Sequence, residues 1–300
     1  MKFQRIVLGL AAALAAGPTS ASAAPAPLDT ARIETSTGAH GQLDPASGVF
    51  KVALPRSDLA VRVPGAKLTP ALGLTSWAAF QPIEGGALVM GDLVLTEAQV
   101  EPVLDAALGA GLAVTALHEH FLSESPPLRF MHVEGMGDPA VLAAGVGKVF
   151  ATLRRTAGAQ PEAPREEIDP GRTTLDPKKI DAVLGRSGAL QDGVYKIVIG
   201  RETRMHGVPV GGAMGVNTWA AFAGSDEHAV VDGDFAMLES ELQGVLKALR
   251  AAGIQVVAIH QHMTGEEPRI LFLHYWGIGP TRDLARGLRA ALDRTAAAAH

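Results

Sequence analysis

The 300-residue chain contains no cysteine. Disulfides, thiolate metal sites, a cysteine nucleophile and the acceptor of a lipid anchor are excluded together. Positive charge is not in excess either: 26 Lys and Arg stand against 31 Asp and Glu, a formal net charge of -5. Without a broad cationic field, nucleic acid is not an expected partner. Aromatic residues are sparse at 5%, and no glycine-rich phosphate loop or serine nucleophile elbow is present. What is abundant is aliphatic material, since 47% of the residues are hydrophobic, ample for a packed globular core.

The first 23 residues have the grammar of an export signal. Lys2 and Arg5 precede the apolar run Ile6 to Ala16, and Ala21-Ser22-Ala23 offers a small-residue cleavage site after Gly17-Pro18. Eleven apolar residues are about half of what a bilayer span requires. The sequence therefore predicts a signal peptide over 1–23, a mature protein in the periplasm or secreted, no membrane span after cleavage and no lipid anchor. Loss of Lys2 and Arg5 would take the charge from -5 to -7.

Comparing the chain with itself reveals a duplication. At an offset of 142 residues, Ala71 to Asp138 aligns without gaps on Ala213 to Pro280, with 26 identities in 68 positions. Trp77/Trp219, Phe80/Phe222, Gly91/Gly233, Asp92/Asp234 and Pro126/Pro268 are among them. Upstream, Gly48-Val49-Phe50-Lys51 matches Gly193-Val194-Tyr195-Lys196, and Arg56 matches Arg201. The predicted organisation is a first repeat over 24–155, a Pro-rich linker over 156–177 with little to bury, and a second repeat over 178–300.

Within a repeat the pattern reads as a short helix, a β-region, a hairpin from Trp77 to Val94, a helix, a second hairpin and a closing helix. Leu242, Val245, Leu246 and Leu249 fall on one helical face, with Gly253 placed for a left-handed cap; Thr96 and Gln99 suit a capping box. Helices separated by hairpins predict an α+β fold: an internally duplicated, pseudo-twofold unit with an antiparallel sheet and helices packed on it. The repeats could share one body or be tethered. Trp77 and Trp219 are expected in the core, and Arg56 and Arg201 in structural ion pairs.

Six of the ten histidines form repeat-matched pairs: His118/His260, His120/His262 and His132/His274. His118 and His120, like His260 and His262, end a predicted strand two residues apart and so share a face. The third lies 12 residues beyond the second, on the returning strand. An even register sum puts it on the same face. Three imidazoles about 2 Å from one point would hold a transition metal, zinc or copper, with an open position for water or substrate. Glu124/Glu266 and Asp92/Asp234 are candidate supporting carboxylates, as ligands, imidazole partners or general bases. Met90, Met131, Met136 and Met263 lie near the motif without counterparts in the other copy.

Two readings stand beside the metal site. The histidines continue an apolar stripe of Leu112, Val114 and Ala116, or Ile254, Val256 and Ala258, so they could be buried hydrogen-bonding residues, or they could line a metal-free acid-base pocket. A metal site implies a hydrolase or oxidoreductase; structural histidines imply a non-enzymatic module for a small molecule or envelope component.

The motifs Leu117-His118-Glu119-His120, Pro126, His132-Val133-Glu134-Gly135 and Gly73-Leu74-Thr75-Ser76-Trp77-Ala78-Ala79-Phe80 resemble the LppY/LpqO family of exported bacterial proteins, a duplicated domain of unknown function. The resemblance covers both copies and implies export; it supplies no reaction or catalytic residue. Amino-terminal sequencing of the protein recovered from outside the cytoplasm is expected to begin at Ala24, and recovery of an intact Met1 terminus there would refute the signal peptide.

Overall fold

The structure, a computed structural model, describes residues 25–159 and 167–295. The predicted signal peptide over 1–23 lies outside the described residues. Twelve strands form one antiparallel sheet. In the first repeat these are β1 (Gly41–Leu43), β2 (Phe50–Pro55), β3 (Thr75–Ile83), β4 (Gly86–Thr96), β5 (Ala113–His118) and β6 (Leu128–Gly137). The second repeat supplies β7 (Ala189–Gln191), β8 (Val194–Gly200), β9 (Asn217–Gly224), β10 (Ala229–Leu238), β11 (Gln255–His260) and β12 (Ile270–Gly279). The spatial order β1-β2-β3-β4-β6-β5-β11-β12-β10-β9-β8-β7 is a palindrome of the two repeats. The duplicated α+β fold is as the sequence indicates, and the open question of one body or two is answered by a single continuous sheet.

The seam lies on the pseudo-twofold axis. There Leu117 of β5 pairs antiparallel with Ile259 of β11, and 259 is 117 plus the repeat offset of 142. Each repeat thus offers its partner the same residue, as an isologous dimer interface does. The helix layer adds contacts that break the symmetry. The Gln243 side chain donates to the Val114 carbonyl at 2.7 Å and accepts from its N–H at 3.0 Å, standing in for a missing ladder partner. Arg250 reaches Glu101 at 3.2 Å and Asp105 at 2.9 Å across the same boundary.

Six helices of the described residues cover one face of the sheet: α1 (Thr30–Thr37), α2 (Glu97–Gly109), α3 (Pro139–Arg155), α4 (Pro177–Leu184), α5 (Leu242–Ala251) and α6 (Thr281–Leu292). Their boundaries follow from local chemistry. The Asp29 and Asp176 carboxylates accept main-chain N–H groups at the starts of α1 and α4, and Gly38 and Gly185 end them in the left-handed region. Gln99 accepts the Thr96 N–H at 3.1 Å at the start of α2. One core unites both repeats: Val52, Phe80, Leu93 and Met131 with Ile197, Phe222, Phe235 and Leu273, under Leu104, Phe150, Leu246 and Leu288. No helix of the described residues is long and apolar enough to cross a membrane.

The sheet's other face is open over its middle and roofed at two places by satellite clusters. Val61, Leu68 and Leu74 pack on Val94, Leu128 and Phe130; Val210 and Val216 pack on Ala236, Ile270 and Phe272. The segment read as a linker also buries more than its composition suggests. Leu175 is buried, and the N–H groups of Thr174 and Leu175 both donate to the Gly224 carbonyl, which moors residues 173–176 to the second repeat. Proline abundance hid a single anchoring leucine.

Because both halves share one core, denaturant should unfold the protein in a single transition. Truncating the axial contact by Leu117→Ala should lower the unfolding free energy by about 2–5 kcal/mol without splitting that transition. Two resolved transitions in the parent protein would contradict the shared core.

Candidate metal centre

Each histidine cluster begins with an irregularity in its strand. In β5 the register against β6 shifts between Val114, which pairs with Val133, and Ala116, which pairs with His132; β11 repeats the shift between Val256 and Ala258. One extra residue, Thr115 or Val257, reverses the alternation beyond it. Val114 and Val256 therefore point into the helix-covered core, whereas Ala116 and His118, and Ala258 and His260, point to the open face. This corrects the apolar stripe: the histidines do not continue the face of Leu112 and Val114, or of Ile254 and Val256, because the bulge intervenes.

Cross-strand pairing then assembles the cluster. Asp92 of β4 lies opposite His132, and Asp234 of β10 opposite His274. The imidazole centroids of His118 and His132 are 5.0 Å apart, and those of His260 and His274 are 4.6 Å apart. The third histidine is not a strand residue. β5 ends at His118 and β11 at His260, so the two-residue strand spacing does not place His120 or His262. A stacking contact does. The His120 ring lies 3.4 Å from that of Phe130, nearly parallel, and His262 lies 3.5 Å from Phe272. Both phenylalanines are buried in the satellite clusters, which makes them rigid platforms. Phe130 and Phe272 were not singled out in the sequence; their identity between copies, beside the histidines, was the available signal.

In the first repeat, donor atoms of His118, His120 and His132 all lie within 4.8 Å of one another; in the second, Asp234, His260 and His274 do so. His262 flanks the latter set, its Nε2 being 3.1 Å from His260 Nε2 and 3.5 Å from Asp234 Oδ2. Ligands about 2.0–2.1 Å from a tetrahedral ion are separated by about 3.3–3.4 Å, so these spacings bracket a coordination edge. Tautomers are consistent with ligation. His118 Nδ1 and His274 Nδ1 lie 3.3 and 3.4 Å from the carbonyls of Glu119 and Gly233, which can only accept, leaving each Nε2 a lone pair.

Unsatisfied atoms sit in both clusters. Asp92 Oδ1 and His260 Nδ1 are buried without hydrogen-bond partners. Asp234 is 2% exposed; its Oδ1 accepts the Leu273 N–H at 3.0 Å. Burial raises its carboxyl to about 6, against the opposing pull of His274. Burial, then the charges of His274 and His262, lower His260 to about 4. His262 and His120 are lowered too, again chiefly by burial.

The other candidate residues separate from this set. Glu124 accepts the Leu128 N–H at 3.0 Å and Glu266 that of Ile270 at 3.3 Å, so these carboxylates brace the turns. Met131 is in the main core, Met263 packs in a satellite cluster, and Met90 and Met136 are exposed. Arg56 is buried on the Val94 carbonyl, Gln99 and Asp58, and its counterpart Arg201 on the Ala236 carbonyl and Glu241, both internal struts. Trp77 and Trp219 contradict their core assignment. Phe80 and Phe222 take the core face, and alternation sends the tryptophans to the open face, opposite Asp92 and Asp234. There Lys51 Nζ lies 3.9 Å above the Trp77 ring and Lys196 Nζ 4.1 Å above Trp219. An exposed pair of this kind contributes about 0.5–1 kcal/mol.

Fold and site define a duplicated α+β domain with a histidine cluster in each half, joined by the carboxylate of Asp234 in the second. Residues 31–152 and 178–294 match the family model described as Domain of Unknown Function (DUF1259), and the chain belongs to that family, carrying the domain twice. No curated protein and no solved structure matches it.

His260, whose Nδ1 has no partner, yields a prediction that separates a ligand from a structural histidine. Its folded-state pKa near 4 lies below the ordinary 6.5, so in metal-free protein its protonation opposes folding as pH falls through that window. Asp234, raised to about 6, acts in the opposite direction between about 6 and 3.8. Metal-free His260→Leu should therefore melt no lower than the parent at pH 7, and its advantage should grow from pH 6.5 toward pH 4. A melting temperature several degrees lower at pH 7 would mean that His260 holds the fold through hydrogen bonds.

Proposed function

We propose that this is an exported metal-binding protein in which each repeat holds one transition-metal ion. The ligands are His118, His120 and His132 with Asp92 in the first repeat, and His260, His262 and His274 with Asp234 in the second. The observation that carries this reading is convergence: three imidazoles in the first repeat, and two imidazoles with a buried carboxylate in the second, bring their donor atoms within 4.8 Å of one another, while Asp92 Oδ1 beside the first set stays unpaired. A buried carboxylate oxygen without a partner costs about 1–3 kcal/mol, and a cation would satisfy it.

The donor set of imidazole and carboxylate, with no thiolate in the chain and no thioether in either cluster, favours zinc over copper. An ion held by four protein ligands would take water or substrate only as a fifth ligand, and would there lower the pKa of that water toward neutrality or polarise a carbonyl or phosphoryl oxygen. The chain's own part is to hold the ligands on a rigid sheet, to exclude competing protons from His260, and to leave the outer side of each cluster to solvent. A hydrolase is the activity class most compatible with that arrangement. The amino-terminal leader pattern and the LppY/LpqO resemblance support action in the periplasm or outside the cell.

Purified protein is expected to retain one zinc ion per repeat after dialysis. His118→Ala with His132→Ala should remove one ion, and His260→Ala with His274→Ala the other. Affinity of the second site should fall about tenfold per pH unit below about 6, because the ion must displace the proton burial keeps on Asp234. Folded protein that stays free of zinc and copper after incubation with either would end the proposal.

A further inference from the structure

Exposed positions of a duplicated domain have little packing to preserve and are free to diverge. On the open face they do so selectively. Met90 corresponds to Asp232, Glu134 to Trp276, Thr75 to Asn217 and Ala53 to Val198. In the same face Lys51, Trp77, Asp92, His132 and His118 are matched without change by Lys196, Trp219, Asp234, His274 and His260. These retained residues are half-buried or, for Asp234, buried, apart from the two exposed lysines. They are contiguous. Trp77 pairs with Asp92 and Asp92 with His132, and the second repeat has the same row from Trp219 through Asp234 to His274.

The lysine at the outer end of each row has no ion-pair partner among the described residues; its ammonium rests on the tryptophan ring instead. A cation held over an aromatic face keeps its outward N–H donors for another acceptor. The tryptophan strand is two strand spacings from the histidine strand, about 10 Å. Each row therefore ends in a fixed positive charge at one side and in the proposed metal at the other, with the open face between them.

Resting on the metal reading above, we propose that each row is a binding subsite for a small dianionic ligand, one acid group ligating the metal and a second, about 10 Å away, received by Lys51 or Lys196. Neither end suffices alone. Without the ion, Asp92 and Asp234 at the row's centre repel an anion, so binding requires metal. Without the lysine, only the metal-bound acid group remains.

Octanedioate, whose two carboxylates lie at the ends of an eight-carbon chain, is a suitable probe, with octanoate as the one-acid control. Calorimetric titration of the zinc-loaded full chain should show saturable octanedioate binding at least tenfold tighter than octanoate. The double variant Lys51→Met and Lys196→Met should lose that preference while keeping its zinc content and remaining folded at the assay temperature. Equal binding of octanedioate and octanoate, no binding of either, or an unchanged preference in the lysine variant would overturn the subsite. Zinc content measured on the same samples keeps the two ideas apart: protein without zinc defeats the metal reading, whereas zinc-loaded protein without lysine-dependent binding defeats only the subsite.

Discussion

One inserted residue in a β-strand sets what this molecule can do. If β5 kept strict alternation from Val114, His118 would share its face and lie beneath α2 in the core. The bulge at Thr115, repeated at Val257, turns the end of the strand over and delivers His118 and His260 to the open face. A chain whose hydrophobic pattern must bury Val114 for stability can thereby present an imidazole four residues later for chemistry. The same reversal brings His118 beside His132, a juxtaposition the unbulged register would deny.

The second constraint is the axis. Pairing Leu117 with Ile259 joins the copies through equivalent residues and leaves the two clusters on one face, either side of the seam. That short ladder is thin by itself. The shared core beneath it, the Gln243 amide bonded to Val114 and the Arg250 ion pairs give the boundary its area and polarity. Since Gln243 bonds the residue just before the bulge, the interface between repeats and the local geometry of the first cluster are mechanically connected.

Duplication and the helix caps were legible in the sequence, because each depends on residues close in the chain or on an offset that can be counted; the even register was there only a condition, and it holds solely beyond the bulge. The bulge was not. Nothing in Ala113 to Leu117 distinguishes an inserted Thr115 from an alternating one, since the insertion is decided by which side chains the helix layer accepts. The tryptophans were misassigned for a related reason: in Trp-Ala-Ala-Phe both aromatic residues look like core, yet three positions apart on a strand means opposite faces. His120 and His262 reached their clusters by a route other than strand periodicity, through stacking on Phe130 and Phe272. Leu175 shows the reverse error, one apolar residue outweighing the prolines around it.

The two clusters have also drifted apart in their electrostatics. Asp234 is almost wholly removed from solvent, accepts a main-chain N–H and faces His262, and the cost of dehydrating it appears as a carboxyl that holds its proton to about 6. Asp92 is half-buried and leaves one oxygen without any partner. Removing water from a carboxylate beside neutral imidazoles is unfavourable unless positive charge arrives to offset it. In a protein that merely needed a stable sheet, an alanine at either position would avoid that cost, and neighbouring open-face positions show that substitution between copies is tolerated there. Retention of the aspartate in both halves, against its own desolvation, is therefore the strongest physical reason to regard the clusters as built for a cation rather than for the fold.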